Sequence, residues 1–317
     1  MASSSGKKIG VVAAITTTPG AVPTFNQATD ALLMYENTNP LKIDGQRQQI
    51  QPIRPSLTKR KDSMGRVLNI FTGVTYLQGP EDLLNVTAPI PWRFGKLLRA
   101  CGFLESIDNT LNTIIYTPRS SGFESVGLGI YLDGYYHQMS DAQGTFTMEG
   151  AAGEYVKCTF EMRGLYIDPT VVAIPAQTFE LDKAPSFKSA ACTIATETVV
   201  LKSFRLTWGL QVAERRDANA ANALKGIFIA SRSPTLNMVV EVDTSHRNYF
   251  NDIFRDAAVH AVLFQVGTVT GNRVKFSIPT AQPIDAPYGE NEQLRTFDIN
   301  YNVQHQTDDA EIVITMD

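Results

Sequence analysis

Between Gly144 and Tyr166 the chain reads GTFTMEGAAGEYVKCTFEMRGLY, and the second part of this stretch alternates strictly. Val156, Cys158, Phe160 and Met162 fall on one parity; Lys157, Thr159, Glu161 and Arg163 fall on the other. A period of two sends successive side chains to opposite faces of a strand, so the segment fits a pleated ribbon with one dry face and one wet face. A tight turn joins it to a preceding strand whose polar side carries Thr145, Thr147 and Glu149. What the wet face of this hairpin looks at is the functional question.

The same period recurs along most of the chain. Strand-like runs are VLNIFTGVTYLQG, NTIIYTP and VGLGIYLDGYYHQM, the last containing an Asp133-Gly134 hairpin signal. Farther on, VLKSFRLTWGLQVAE sets Phe204, Leu206, Trp208, Leu210 and Val212 against Arg205, Thr207 and Gln211. LKGIFIAS, TLNMVVEVD, VHAVLFQVGTV and NRVKFSIPT follow. LRTFDINYNVQ then sets Phe297, Ile299, Tyr301 and Val303 against Asp298, Asn300, Asn302 and Gln304. Only two segments have helical spacing, WRFGKLLRACG and HRNYFNDIFRDAA. In the first, Phe94, Leu97, Leu98 and Cys101 form a stripe opposite Arg93, Lys96 and Arg99.

The three prolines in DPTVVAIPAQTFELDKAP separate two blocks of similar order, each strands, one helix, then more strands. The expectation is a mainly β chain: an extended, turn-rich arm over 1–65, one antiparallel β-sandwich or half-barrel domain over 66–175, and a second over 176–317. A single sandwich with two helical insertions is the rival arrangement.

Composition removes several functions. A net charge of −4 supplies no overall basic excess to clamp nucleic acid. Cys101, Cys158 and Cys192 are odd in number and unevenly spaced, which fits small buried hydrophobes in a reducing compartment better than a disulfide framework or a zinc site. Lys7 and Lys8 precede an apolar run that is short for a signal peptide and lacks a cleavage pattern. No apolar stretch approaches membrane-spanning length. His137, His246, His260 and His305 are scattered, GLGIYLDG lacks the spacing of a phosphate loop, and GFESVG misses the nucleophile elbow by one residue. These patterns argue for an interaction or structural protein that needs neither metal nor cofactor.

Two charge runs stand out. Lys42 to Arg66 holds seven basic and two acidic residues, a net of +5, including Arg47, Arg54, Lys59, Arg60 and Lys61. Asp285 to Asp317 holds eight acidic residues and one basic, a net of −7, including Asp308, Asp309 and Glu311.

YLDGYYHQMSDAQGTFTMEGAAGEYVKCTFEMRGLYIDPT, together with GNRVKFSIPTAQPIDAPYGENEQLRTFDINYNVQ, resembles the major tail tube proteins of long-tailed bacteriophages in their two-domain form. The resemblance implies trimeric, pseudo-hexameric rings stacked into a tube, assembled in the host cytoplasm for the virion tail. Double-stranded DNA passes through such a tube without specific binding. It also implies a tape measure protein and terminator and distal tail proteins as partners, and no membrane. On that picture Thr145, Thr147, Glu149, Lys157, Thr159, Glu161, Arg163, Asp298, Asn300, Asn302 and Gln304 face the lumen. Arg47, Arg54, Lys59, Arg60 and Lys61 of one ring would meet Asp308, Asp309 and Glu311 of the next. With about four strands per repeat, six repeats close a barrel of roughly 150 Å circumference, wide enough for a duplex. Another β-rich virion component, such as a capsid decoration protein, or a β-sandwich hydrolase or carbohydrate-binding protein are the alternatives.

Overall fold

The computed structural model describes residues 9–35, 39–50, 53, 55, 58–83, 89–132, 134–179, 184–242, 255–256, 258–291, 293–305 and 308–317. Alternating sequence becomes strand nearly everywhere, and the protein is mainly β with antiparallel pairing. The first part contains β1 (Ile9–Ile15), β2 (Ala31–Leu32), β3 (Leu41–Gln48), β4 (Ser63–Tyr76), the single-turn helix α1 (Gly95–Ala100), β5 (Phe103–Asp108), β6 (Thr113–Pro118), β7 (Val126–Leu132), β8 (Tyr135–Ala151) and β9 (Lys157–Val171). The second contains β10 (Thr193–Ile194), β11 (Glu197–Thr198), β12 (Leu201–Thr207), β13 (Gln211–Arg216), β14 (Leu224–Ser231), β15 (Thr235–Glu241), β16 (His260–Val266), β17 (Val274–Asp285), β18 (Tyr288–Asn291), β19 (Leu294–Val303) and β20 (Val313–Met316). The segment HRNYFNDIFRDAA, expected as a second helix, lies almost wholly outside the described residues, as does Asp133 of the hairpin signal.

One row of strands organises the molecule. Its order is β3, β4, β9, β8, β12, β15, β19, and then an edge shared by the end of β17 and by β18. β8 makes this possible by its length of 17 residues. β9 pairs along one side of it; on the other side β7 takes the early residues and β12 takes Thr147 to Ala151. The changeover sits at Gly144, just after a bulge. A Cβ there would come within 1.9 Å of the Glu161 carbonyl oxygen, so only glycine permits the close backbone approach. A second join links the two parts through β20, which pairs with both β17 and β6.

The four strands of each part follow the same order and run in the same alternating directions. β3, β4, β9 and β8 correspond to β12, β15, β19 and the β17–β18 edge. In each set a first hairpin leads to the second strand and a later hairpin returns to the third. In the second set the first connection carries the separate ribbon β13–β14.

The apolar parity packs into a core common to both parts. Phe103 lies 4.6 Å from Trp208 between ring centroids, and the Trp208 indole N–H donates to the Cys101 carbonyl at 2.8 Å. Helix α1 covers the dry face of the β8–β9 hairpin: Phe94 stacks on Phe160 at 6.1 Å, and Cys101 Sγ is 3.9 Å from Met162 Sδ. The helix stops at Gly102, whose φ of +84° is the left-handed conformation glycine supplies after a helix end. All three cysteines are free and buried, and burial pushes the thiols up, Cys192 to about 12.

Three details depart from the residue pattern. The 1–65 segment, expected as an extended arm, lends β1 to the common core: β1 pairs with β7 along its length, and Val11 and Ala13 are buried. Arg93, placed by helical spacing on a wet face, is buried because its guanidinium pairs with Glu81 and donates to the Thr178 carbonyl at 2.6 Å. His260, one of the scattered histidines, is buried by its place in β16.

Several carboxylates are held ionised by cations. Hydrogen bonding from Arg99 holds Glu124 below its usual range. For Asp317 and Asp309 burial alone acts upward, but hydrogen bonds from Arg273 and Lys275 to the first, and from Arg232 and Ser120 to the second, outweigh it. Depressed carboxylate pKa values stabilise the fold above the unfolded carboxylate range, near 4, and that contribution is lost as pH falls through the lower folded values. Urea midpoints should therefore be flat near neutrality and decline below about pH 4. A midpoint unchanged down to about pH 2.5 would contradict this.

Candidate functional site

The polar parities of five strands, continued on β4 by Val74 and Tyr76, form one face. Pairing runs from Tyr76 of β4 through Lys157, Glu149, Arg205 and Asn237 to Asn300 of β19. One step along, it runs from Val74 through Thr159, Thr147, Thr207 and Thr235 to Asn302. The hairpin residues Thr145, Thr147, Glu149, Lys157, Thr159, Glu161 and Arg163 thus share a face with Asp298, Asn300 and Asn302, although more than a hundred residues separate the two groups. Gln304 follows the end of β19, where its amide donates to Gln282 Oε1 at 2.5 Å. Behind the face, Phe146, Met148, Cys158, Phe160, Met162, Phe204, Leu206, Met238, Ile299 and Tyr301 are all buried.

The strands that join the two groups, β12 and β15, add Arg205, Thr207, Thr235 and Asn237 to the face. Alternation marked their polarity, but no local signal said that they lie between β8 and β19. The face is nearly balanced in charge: Lys157, Arg163 and Arg205 stand among Glu149, Glu161, Glu241 and Asp298. Several of these are tied to each other. Arg205 lies 3.7 Å from Glu149 across the β8–β12 junction, Arg163 lies 3.1 Å from Glu161, and the Asn237 amide donates to Asn300 at 2.8 Å and to Asp298. Arg163 and Glu161 lie along one strand; the cross-strand pairs hold side chains flat on the sheet and each contribute about 0.2–1 kcal/mol.

The two charge runs fare differently. Arg47, Lys59, Arg60 and Lys61 are exposed on β3 and on the connection to β4, while Arg54 lies outside the described residues. Asp308 has a side chain 99% exposed, but Asp309 and Glu311 are engaged within the chain. Arg232 holds both, at 2.6 Å and 2.7 Å, and the Ser120 hydroxyl and N–H also donate to Asp309. The β3–β4 connection and the C-terminal end of β19 lie at the same end of the strand row, because both are reached by strands running in the same direction. The first members of the two runs are separated across the row, with Lys42 and Arg47 on β3 at one lateral edge and Asp285 and Glu290 on the β17–β18 segment at the other.

A groove of about 670 Å³ opens at the opposite end of the row, lined by Tyr76, Tyr155, Glu149, Lys157, Arg205 and Asn237 among others. Tyr76 and Tyr155 are 5.5 Å apart. Its charged groups pair with neighbours on the sheet and do not converge on a point where a reacting atom could sit. Among the described residues no cluster of three or more His, Cys, Asp or Glu could hold a metal, and no helix is long and apolar enough to cross a membrane.

A one-sided antiparallel sheet with a broad, charge-balanced polar face and, among the described residues, two open lateral edges defines a structural β-protein built to continue into further copies or partners. Comparison with family models matches residues 6–303 to the phage tail tube proteins, and the chain belongs to that family. It is accordingly a structural component of a phage tail, of a family whose members assemble into a tube. A search of curated proteins finds no match.

Proposed function

We propose that the chain assembles as trimeric rings of pseudo-sixfold symmetry, that these rings stack into the tail tube, and that DNA passes through the lumen during ejection. The observation that carries this reading is the single strand row behind the polar face, which presents eight strand positions in two similar sets of four. Three such chains supply 3 × 8 = 24 positions, the two dozen that close a barrel of about 48 Å backbone diameter. The similar sets support two tandem tube-type units, the second within 176–317 and the first reaching from 66–175 back to β3, which lies inside the 1–65 segment.

On this reading the polar face lines the lumen. Its near balance of charge suits a conduit, because phosphates neutralised by a basic wall would bind and retain DNA. Tape measure, terminator and distal tail proteins would meet the tube at its axis and ends, and assembly would take place in the host cytoplasm.

Negative-stain electron microscopy of concentrated protein at low and moderate salt tests the proposal. The expected images are hollow stacked rings with threefold or pseudo-sixfold end views. Solid filaments, or binding only to a preformed capsid lattice, would overturn it.

A further inference from the structure

We infer that neighbouring copies within a ring join through β3 of one copy and the β17–β18 edge of the next, paired antiparallel. This rests on the tube reading and names the contact that reading requires. Among the described residues the strand row ends on these two segments, and an open strand edge is a template for another chain. The internal β8–β12 junction shows the form of such a contact. There the last strand of the first set meets the first strand of the second set, antiparallel, with Glu149 beside Arg205. By their place in the two sets, the β17–β18 edge corresponds to β8, and β3 corresponds to β12. Their directions also oppose each other when two copies stand side by side in one orientation. Repeating the internal junction between copies therefore continues the sheet without reversing any strand.

The chemistry of the edges agrees. β3 exposes Lys42 and Arg47, whereas its one carboxylate, Asp44, is held by Arg66. The opposite edge exposes Asp285 and Glu290. Apolar area is exposed on both: Ile43 is 47% accessible on β3, and Ile284 and Tyr288 are 53% and 56% accessible opposite. Charge complementarity thus runs around the ring and not along the tube axis, so added salt should weaken ring closure before it weakens stacking.

Charge reversal tests the seam. One variant carries Lys42→Glu with Arg47→Glu, another Asp285→Lys with Glu290→Lys, and a third carries all four changes. Sedimentation velocity and electron microscopy read assembly, and thermal melting of the unassembled chain confirms the fold. Each two-site variant should need at least about tenfold more protein to assemble, and the four-site variant should recover to within about threefold of the wild type. Tubes formed equally well by the two-site variants would overturn the seam while leaving the tube reading intact. A four-site variant as defective as its parents would also overturn it. A wild type that yields neither ring nor tube would overturn the tube reading and the seam with it.

Discussion

Replacing Trp208 with alanine is expected to cost about 3–5 kcal/mol of stability, the range for removing a large aromatic side chain from a packed core. Trp208 is fully buried, stacks on Phe146, packs tilted against Phe103, lies under the Arg232 guanidinium at 5.9 Å, and donates its N–H to the Cys101 carbonyl. It follows β12 in the second part of the chain, and most of what it touches belongs to the first part. The substitution leaves a cavity between the two parts and an unpaired carbonyl at the end of α1. Both effects act in the same direction. Denaturant unfolding of the unassembled chain measures the loss; a cost below about 1 kcal/mol would mean that the two parts do not rely on this contact. Trp208→Phe keeps most of the volume but removes the N–H, so it should fall between the wild type and the alanine variant.

The second large effect concerns passage of DNA. Thr159→Lys combined with Glu161→Lys should leave the tube intact and slow ejection by about tenfold or more. Both positions lie on the polar face of β9, with Thr159 half-buried and Glu161 exposed, and neither supports the core. The pair changes the wall by three charge units per chain, which converts a balanced surface into one that attracts phosphate. The retarding effect should shrink as salt is raised, because phosphate binding by cations is driven by counterion release. Real-time ejection from phage carrying the double variant reads the rate, and electron microscopy verifies the tube. An unchanged rate in intact tails would place the β9 face away from the lumen. Thr159→Ser changes no charge and should eject normally.

Much of the secondary structure is legible because it is a local property. Strict alternation from Val156 to Arg163 and from Phe297 to Gln304 is enough to specify strands with one dry face, since a one-residue slip would bury charges and expose aromatics. The spacing of Phe94, Leu97, Leu98 and Cys101 likewise marks α1. Arg93 shows the limit of periodicity. Its position reads as wet, yet Glu81 and the Thr178 carbonyl satisfy it inside the protein. Asp309 and Glu311 show the same limit for charge, because their local run reads as a free acidic tail while Arg232, more than seventy residues away, occupies both.

By itself, then, the sequence determined that these strands form, which of their sides is dry, and where charge accumulates along the chain. Tertiary structure alone decided that β12 docks on the free half of β8 and thereby fuses two polar faces into one. It alone placed Lys42 and Arg47 on one lateral edge of that sheet and Asp285 and Glu290 on the other, and drew β1 into the common core. The physical reason is that side-chain alternation is imposed by the backbone of one strand. The order of strands depends on pairings between residues far apart in the chain, whose stability comes from the core they jointly bury.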